Sequence, residues 1–204
     1  MRQQTLADYE ILVVDDGSKD NTIALLEANP GLYDQLIRQP KNGGKGAAVV
    51  AGLRAATGDY ILFQDADLEY SPEEFPELIE LICQGRADVV YGSRFLGRHR
   101  VFLFTHYLGN RIVTLATNVL YNTMLTDMET CYKVMRGPVA RSLRLSGNRF
   151  EIEPEITARL LRSGVRMVER PVRFSPRSKA AGKKMRWRDG LTAVQMLVRC
   201  RFDG

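Results

Sequence analysis

Short apolar segments that alternate with helical segments constrain the fold of this chain more than any other feature. Residues 10–14, 60–63 and 87–91 are mostly apolar runs, typical of buried strands in a parallel sheet. Patterns typical of helices cover residues 21–28, 47–56 and 72–83. This alternation predicts an α/β fold with a mainly parallel, Rossmann-like sheet flanked by helices.

Polar side chains follow each of these three predicted strands. They are Asp15 and Asp16, Asp65 and Asp67, and Ser93 and Arg94. Parallel strands end along one edge of a sheet, where open α/β sheets bind their ligands. The Asp65-x-Asp67 pair alone fits either a Mg²⁺ or Mn²⁺ site or a polar strand end before a helix. Carboxylates and an arginine at the same edge favour metal-assisted transfer to or from a diphosphate.

Composition and charge narrow the class of protein. A chain of 204 residues with 45% hydrophobic content predicts one domain, residues 1–204. We expect no transmembrane helix, no secretory signal and reduced cysteines, hence a cytoplasmic location. Residues 159–204 carry 13 basic and 3 acidic side chains, against 16 and 21 elsewhere. This basic segment suggests an anionic partner or a solvated basic face.

Two further expectations concern partners. Nucleic acid is not expected, because the basic segment contains one tryptophan and no recognisable nucleic-acid motif. Residues 102–125, interrupted at 109–111, and residues 189–201 have helical patterns with apolar faces. These helices either make peripheral contact with the inner face of a membrane or pack on the sheet.

Six segments resemble the family-2 glycosyltransferases, and more closely their polyprenyl-phosphate branch, which is similar to dolichol-phosphate mannosyltransferases. In order they are VVDDGSKDNT, NGGKGAA, GDYILFQDADL, YGSR, TDMETCYK and EPEI, at residues 13–22, 42–48, 58–68, 91–94, 126–133 and 153–156. The resemblance implies a GT-A fold, a nucleotide-sugar donor and Mg²⁺ or Mn²⁺. Residues 9–95 would form the half that binds the nucleotide sugar, and residues 96–204 the acceptor-side half.

The resemblance also implies roles on the donor side. The expected donor-binding residues are Asp15, Asp16, Lys45, Gln64 and Asp65. Asp65 and Asp67 are expected to hold the metal on the donor diphosphate, which makes Asp67 a predicted catalytic residue. Lys45 fits equally a tight turn with a solvated side chain.

On the acceptor side, Arg94, Arg111 and Arg177 are expected to face an acceptor phosphate. Guanidinium groups suit phosphate because their planar fork donates two parallel hydrogen bonds, although Arg111 and Arg177 also fit a surface role. A polyprenyl phosphate would attack the anomeric carbon with inversion and need little help from a base. A glycan hydroxyl requires one, for which Asp127 and Glu129 are the predicted catalytic residues, although Asp127 could instead cap a turn.

The resemblance further implies that the chain is N-terminally truncated. Family members begin with a strand that bears Val-Ile-Pro-x-Tyr-Asn-Glu, and only nine residues precede the strand at 10–14 here. That strand would lie between those at 10–14 and 60–63, so we expect their edges to pair directly or stay unpaired, with reduced stability. The alternative to an enzyme is a truncated, non-catalytic protein that docks on a membrane or a partner.

Overall fold

The computed structural model describes residues 8–97, 104–176 and 187–203, which form an α/β fold. The strands are β1 (Leu12–Asp15), β2 (Gln35–Arg38), β3 (Tyr60–Leu62), β4 (Val89–Ser93), β5 (Lys133–Arg136) and β6 (Met167–Pro171). The helices are α1 (Thr22–Glu27), α2 (Lys45–Ala55), α3 (Phe75–Cys83), α4 (Phe104–Tyr121), α5 (Gly137–Ser142), α6 (Ile152–Ser163) and α7 (Trp187–Phe202). Short 3-10 turns occupy Pro30–Leu32 and Pro72–Glu74.

The strands form two sheets. β1 and β2 pair in parallel, and the other four strands follow the order β3-β5-β4-β6. In this larger sheet β3, β4 and β6 run in one direction, and β5 runs against them. Within the described residues β1 forms no ladder with β3. Direct pairing and unpaired edges were the two arrangements expected for these strands, and the structure shows the unpaired one.

β4 organises the core because its alternate residues face two layers. Val90 belongs to a cluster with Leu78 and Ile82 of α3, whereas Val89 and Tyr91 belong to a cluster with side chains of α6. A strand buried on both faces is typical of layered α/β folds. The third cluster joins α4, α6 and α7.

The structure corrects two sequence predictions. Tyr60 is 39% exposed rather than buried, because β3 lies at the edge of its sheet. α4 runs without interruption through residues 109–111. Residues 133–136 form β5, and Phe174 makes an isolated bridge to Tyr70.

Two expectations agree with the described residues. No helix there is both long enough and apolar enough to cross a lipid bilayer. All three cysteines are free: Cys83 is exposed, and Cys131 and Cys200 are buried.

Candidate active site

The carboxylate of Asp15 shapes the turn that follows β1. It accepts hydrogen bonds from the backbone N–H groups of Gly17, at 3.1 Å, and Ser18, at 3.2 Å. Hydrogen bonds from Ser18, led by its hydroxyl, lower the pKa of Asp15 despite the opposing effect of burial. Asp15 therefore lies at the predicted strand end. Its carboxylate is ionised and accepts hydrogen bonds from the backbone of the turn.

Asp16 joins this turn to the glycine-rich turn before α2. Its two carboxylate oxygens accept from the backbone N–H groups of Gly43, at 2.9 Å, and Gly44, at 2.7 Å. Gly44 has a φ of +95°, a conformation that residues with a side chain rarely adopt. Asp16 thus holds this turn in a backbone conformation that, at position 44, favours glycine.

The start of α2 docks closely against residues 147–148. A Cβ atom at Gly46 would lie 2.1 Å from the carbonyl oxygen of Gly147, and the N–H of Ala47 donates to Asn148 O at 3.1 Å. This close approach needs a residue without a side chain at position 46. It places Lys45, the first residue of α2, beside the end of β3.

Four charged side chains then form a continuous chain of ion pairs. Lys45 Nζ lies 2.7 Å from Asp65 Oδ2 and 2.8 Å from Glu153 Oε1. The second oxygen of Glu153 pairs with Lys133, which also donates to Thr130 O. Alternating charges from four separate elements thus connect the interior to the predicted metal ligand Asp65.

The electrostatics keep Lys45 and Glu153 ionised. Burial acts to lower the pKa of Lys45, but the carboxylates of Glu153 and Asp65 outweigh it and raise that pKa well above its usual range. Burial likewise acts to raise the pKa of Glu153, but Lys133 and Lys45 outweigh it and hold that pKa below its usual range. Each charge therefore depends on its neighbours in the chain of ion pairs.

Glu153 and Lys133 were not assigned as site residues from the sequence, although both lie in segments that carry the family resemblance. The signal was present in the first turn of α6, where Glu153 stands between Ile152, Pro154 and Ile156. A carboxylate at a core-facing helical position needs a buried partner. The partner could not be identified, because Lys133 precedes it by twenty residues.

Asp65 and Asp67 lie in the loop after β3 as predicted. Gln64 lies between two contacts: its Nε2 donates to Asp65 O at 2.6 Å, and its Oε1 accepts from the Tyr132 hydroxyl at 2.6 Å. Asp67 Oδ1 accepts from the N–H of Glu69 at 3.1 Å. These contacts fix the backbone of the loop around both aspartates.

The donor set fits a divalent cation that is shared with a substrate. No three His, Cys, Asp or Glu side chains within the described ranges group closely enough to hold a metal by themselves. Mg²⁺ is commonly held by one or two carboxylates together with substrate phosphates and water. The Lys45 ammonium already lies against Asp65, so this loop attracts positive charge. Asp65 and Asp67 therefore match a metal that binds together with a diphosphate.

Arg94 follows β4 and pairs with Asp127 in a buried, two-pronged contact. Its Nε and Nη2 atoms each donate to Asp127 at 2.7 Å, and its backbone N–H donates at 2.9 Å. Burial acts to lower the pKa of Arg94, but the charge of Asp127 outweighs it and raises that pKa. Both oxygens of Asp127 are thus committed to Arg94.

Phe95 brings two of the predicted phosphate-binding arginines together. The guanidinium carbons of Arg94 and Arg111 lie 5.7 and 5.8 Å from the centre of its ring. Arg111 Nη1 also donates to Thr126 O at 3.4 Å. Arg177, the third predicted arginine, lies outside the described residues.

Glu129 interacts electrostatically with residues of both charged clusters. Burial raises its pKa to about 7; the charge of Glu153 acts in the same direction, whereas Lys133 and Arg94 oppose it. No hydrogen bond to its carboxylate occurs in the described part of the chain. Glu129 is therefore a carboxyl group that can take up or release a proton near neutral pH.

Comparison with known proteins identifies the family. Residues 1–144 match the family model described as Glycosyl transferase family 2. The chain belongs to this family. The Dolichol-phosphate mannosyltransferase of Pyrococcus furiosus is 31% identical to it over 181 residues, which cover 86% of this chain and 51% of that protein.

A second family relative is the Undecaprenyl-phosphate 4-deoxy-4-formamido-L-arabinose transferase of Sodalis glossinidius. It is 42% identical over 85 residues, which cover 40% of this chain and 26% of the relative. The chain spans about half the length, or less, of these curated relatives.

Solved structures confirm the predicted GT-A fold of this family member. Glucosyl-3-phosphoglycerate synthase of Mycobacterium tuberculosis, in complex with phosphoglyceric acid, superposes with a TM-score of 0.69 at 18% identity. The match covers 94% of this chain and 68% of the synthase chain. The same synthase with Mn²⁺, UDP-glucose and phosphoglyceric acid gives a TM-score of 0.66 at 17% identity, covering 93% of this chain and 68% of the synthase.

Proposed function

We propose that this chain carries the catalytic site of a metal-dependent, inverting glycosyltransferase with a nucleotide-sugar donor and a polyprenyl-phosphate acceptor. The observation that carries the proposal is the presence of two charged clusters at the carboxyl ends of β3 and β4, which run in the same direction. One cluster ends on Asp65 and suits a metal with a diphosphate; the other presents two arginines on one aromatic ring and suits a phosphate. The relatives named for dolichol phosphate and undecaprenyl phosphate support this acceptor.

On the donor side, Asp65 and Asp67 would hold the divalent cation. When bound, that cation would supply the positive charge that stabilises the departing nucleoside diphosphate. The Lys45 ammonium lies at the same end of β3 and would add a second positive charge near the diphosphate. Asp15 and Asp16 would shape the loops around the nucleotide, through the backbone contacts that they already make. The complex of the synthase with Mn²⁺ and UDP-glucose supports a divalent metal that binds together with a nucleotide-sugar donor.

On the acceptor side, Arg94 and Arg111 would donate hydrogen bonds to the acceptor phosphate. Asp127 would position Arg94 rather than act as a base, because both of its oxygens accept from Arg94. A phosphate acceptor is already anionic, so its attack on the anomeric carbon requires no strong base. With a glycan hydroxyl acceptor, Glu129 would be the general base, since a pKa of about 7 suits proton transfer at neutral pH.

Nucleotide-sugar turnover with Mn²⁺ and a short-chain polyprenyl phosphate tests this function. We expect Asp67→Ala to abolish turnover, whereas Glu77→Ala, which removes an exposed carboxylate from α3, should leave it intact. Equal turnover in wild type and Asp67→Ala would contradict the role of Asp67. Turnover with a glycan but not with the polyprenyl phosphate would show that the acceptor is a glycan hydroxyl instead.

Membrane contact through α4 is the second part of the proposal. Large apolar side chains at helical spacing are exposed along this helix: Phe104, Leu108, Ile112, Leu115 and Val119. The exposed Arg111 on the same helix adds positive charge, which favours anionic headgroups as the occupant. This surface is also the observation that favours the alternative, a non-catalytic protein that docks on a membrane.

Sedimentation with vesicles separates these possibilities. We expect the protein to bind vesicles that contain phosphatidylglycerol, and Leu115→Glu to weaken that binding. Vesicle binding with no affinity for UDP or GDP in the presence of Mn²⁺ would favour the docking protein. Equal binding of wild type and Leu115→Glu would exclude α4 as the contact.

A further inference from the structure

We propose that Lys45 is an internal stand-in cation for Asp65, and that Glu153 is the positioning residue that retains Lys45 when Asp65 binds a divalent metal. The inference rests on the proposed function only in taking Asp65 as a metal ligand. It adds roles for a lysine and a buried carboxylate in deciding when the metal binds. We call these two residues the Lys45–Glu153 pair.

The geometry first places Lys45 in competition with the metal. Its Nζ lies 2.7 Å from Asp65 Oδ2, a distance typical of a charge-assisted hydrogen bond. A metal ion bound to the same carboxylate would bring a second positive charge close to this ammonium. The two cations repel, so the metal must displace Lys45 from Asp65 or bind more weakly.

Glu153 gives Lys45 somewhere to remain after this displacement. Its Oε1 lies 2.8 Å from Lys45 Nζ, and its other oxygen is held by Lys133, whose side chain is fully buried. The Glu153 side chain is 8% exposed and that of Asp65 is 35% exposed. The inner carboxylate is therefore fixed, whereas the outer one faces the solvent from which a metal arrives.

A nucleoside diphosphate would shift this balance towards the metal. Its negative charges offset the repulsion between the metal and Lys45, and they offer the ammonium a new partner. Metal and nucleotide should consequently strengthen each other's binding, and Lys45 should carry part of that coupling. Without Glu153, the departure of Asp65 would leave a largely buried ammonium without a carboxylate, which is unfavourable.

Titration with Mn²⁺, followed by electron paramagnetic resonance in the absence of nucleotide, measures this competition directly. We expect Lys45→Met to bind Mn²⁺ about tenfold more tightly than wild type, the change expected when one charge-assisted hydrogen bond no longer competes. Glu153→Gln should bind Mn²⁺ more weakly than wild type. The double variant should regain the affinity that Glu153→Gln loses.

The second measurement repeats the Mn²⁺ titration with UDP and with GDP. In wild type, whichever of UDP and GDP the protein binds should tighten Mn²⁺ binding. In Lys45→Met this enhancement should be smaller. Glu155→Gln is the matched control, because Glu155 is also buried in α6 but pairs with Arg159 and residues 146–147 instead of Lys45. A merely structural effect of losing a buried carboxylate would appear in both glutamate variants, whereas the proposal restricts the change in Mn²⁺ affinity to Glu153→Gln.

The outcomes separate this inference from the proposed function. If wild type binds Mn²⁺ with a nucleotide but Lys45→Met binds Mn²⁺ no more tightly than wild type, the inference is overturned and the glycosyltransferase proposal stands. If neither protein binds Mn²⁺ with either nucleotide, the proposed metal site fails and the inference fails with it. If Glu153→Gln does not fold, Lys45→Met decides alone, because its side chain is 20% exposed and its removal leaves the Glu153–Lys133 pair intact.

Discussion

Replacing Glu129 with glutamine should stabilise the folded protein above neutral pH. The charges of Glu153 and Arg94 both act on this glutamate, and burial raises its pKa from 4.5 to about 7. Its ionised form is therefore less favourable in the folded chain than in the unfolded chain. Glutamine has nearly the same shape but carries no charge at any pH.

The sign and size of the effect follow from linkage. A raised pKa in the folded state contributes stability below pH 4.5, and this contribution is lost as the pH rises through about 7. A difference of about 2.5 pKa units corresponds to about 3 kcal/mol at 1.36 kcal/mol per unit, as an upper value for a side chain that keeps some solvent contact. Relative to wild type, Glu129→Gln should gain up to this amount in unfolding free energy between pH 5 and pH 8.5.

Urea denaturation of both proteins at several pH values between 5 and 8.5 measures this difference. The exposed Glu73→Gln serves as the control for removal of one surface charge. The expected result is a gap between Glu129→Gln and wild type that widens as the pH rises from 5 and levels off above about 7. A gap that stays constant over this range would refute the reasoning, because it would mean that Glu129 has the same pKa in the folded and unfolded chains.

The remaining predictions concern two close contacts. Asp127→Asn should lower the unfolding free energy by about 3–5 kcal/mol, because it leaves the buried Arg94 guanidinium without its counter-charge; an unchanged urea midpoint would contradict the pairing. Gly46→Ala should lower it by about 1–3 kcal/mol, because the new Cβ would meet the Gly147 carbonyl oxygen at 2.1 Å. Gly31→Ala, whose Cβ would meet nothing within 4 Å, is its control in the same urea denaturation.

Local pattern was sufficient to predict much of the fold. The apolar runs at 10–14, 60–63 and 87–91 overlap β1, β3 and β4, because buried strands need β-branched and aromatic residues regardless of their neighbours. β5 was not predicted, because it begins with Lys133, whose burial is tolerable only through a glutamate on a distant helix.

The candidate site was predictable as a set of residue types but not as a set of contacts. Strand-end position placed Asp65 and Arg94 without any knowledge of partners. Which carboxylate belongs to which cation depends on tertiary packing, so Lys45–Glu153 and Arg94–Asp127 emerged only from the structure. Local periodicity contains no information about such pairs, since it describes one element at a time.

The division of the strands into two sheets has a consequence for motion. In the described residues no strand ladder ties β1 to β3, so the placement of Asp16 relative to Asp65 depends on how α2 packs between them. Backbone ladders resist shear over their whole length, whereas a helix interface permits small sliding displacements. The distance between the two ends of the proposed donor site is therefore set by the packing of a helix rather than by hydrogen bonds between strands.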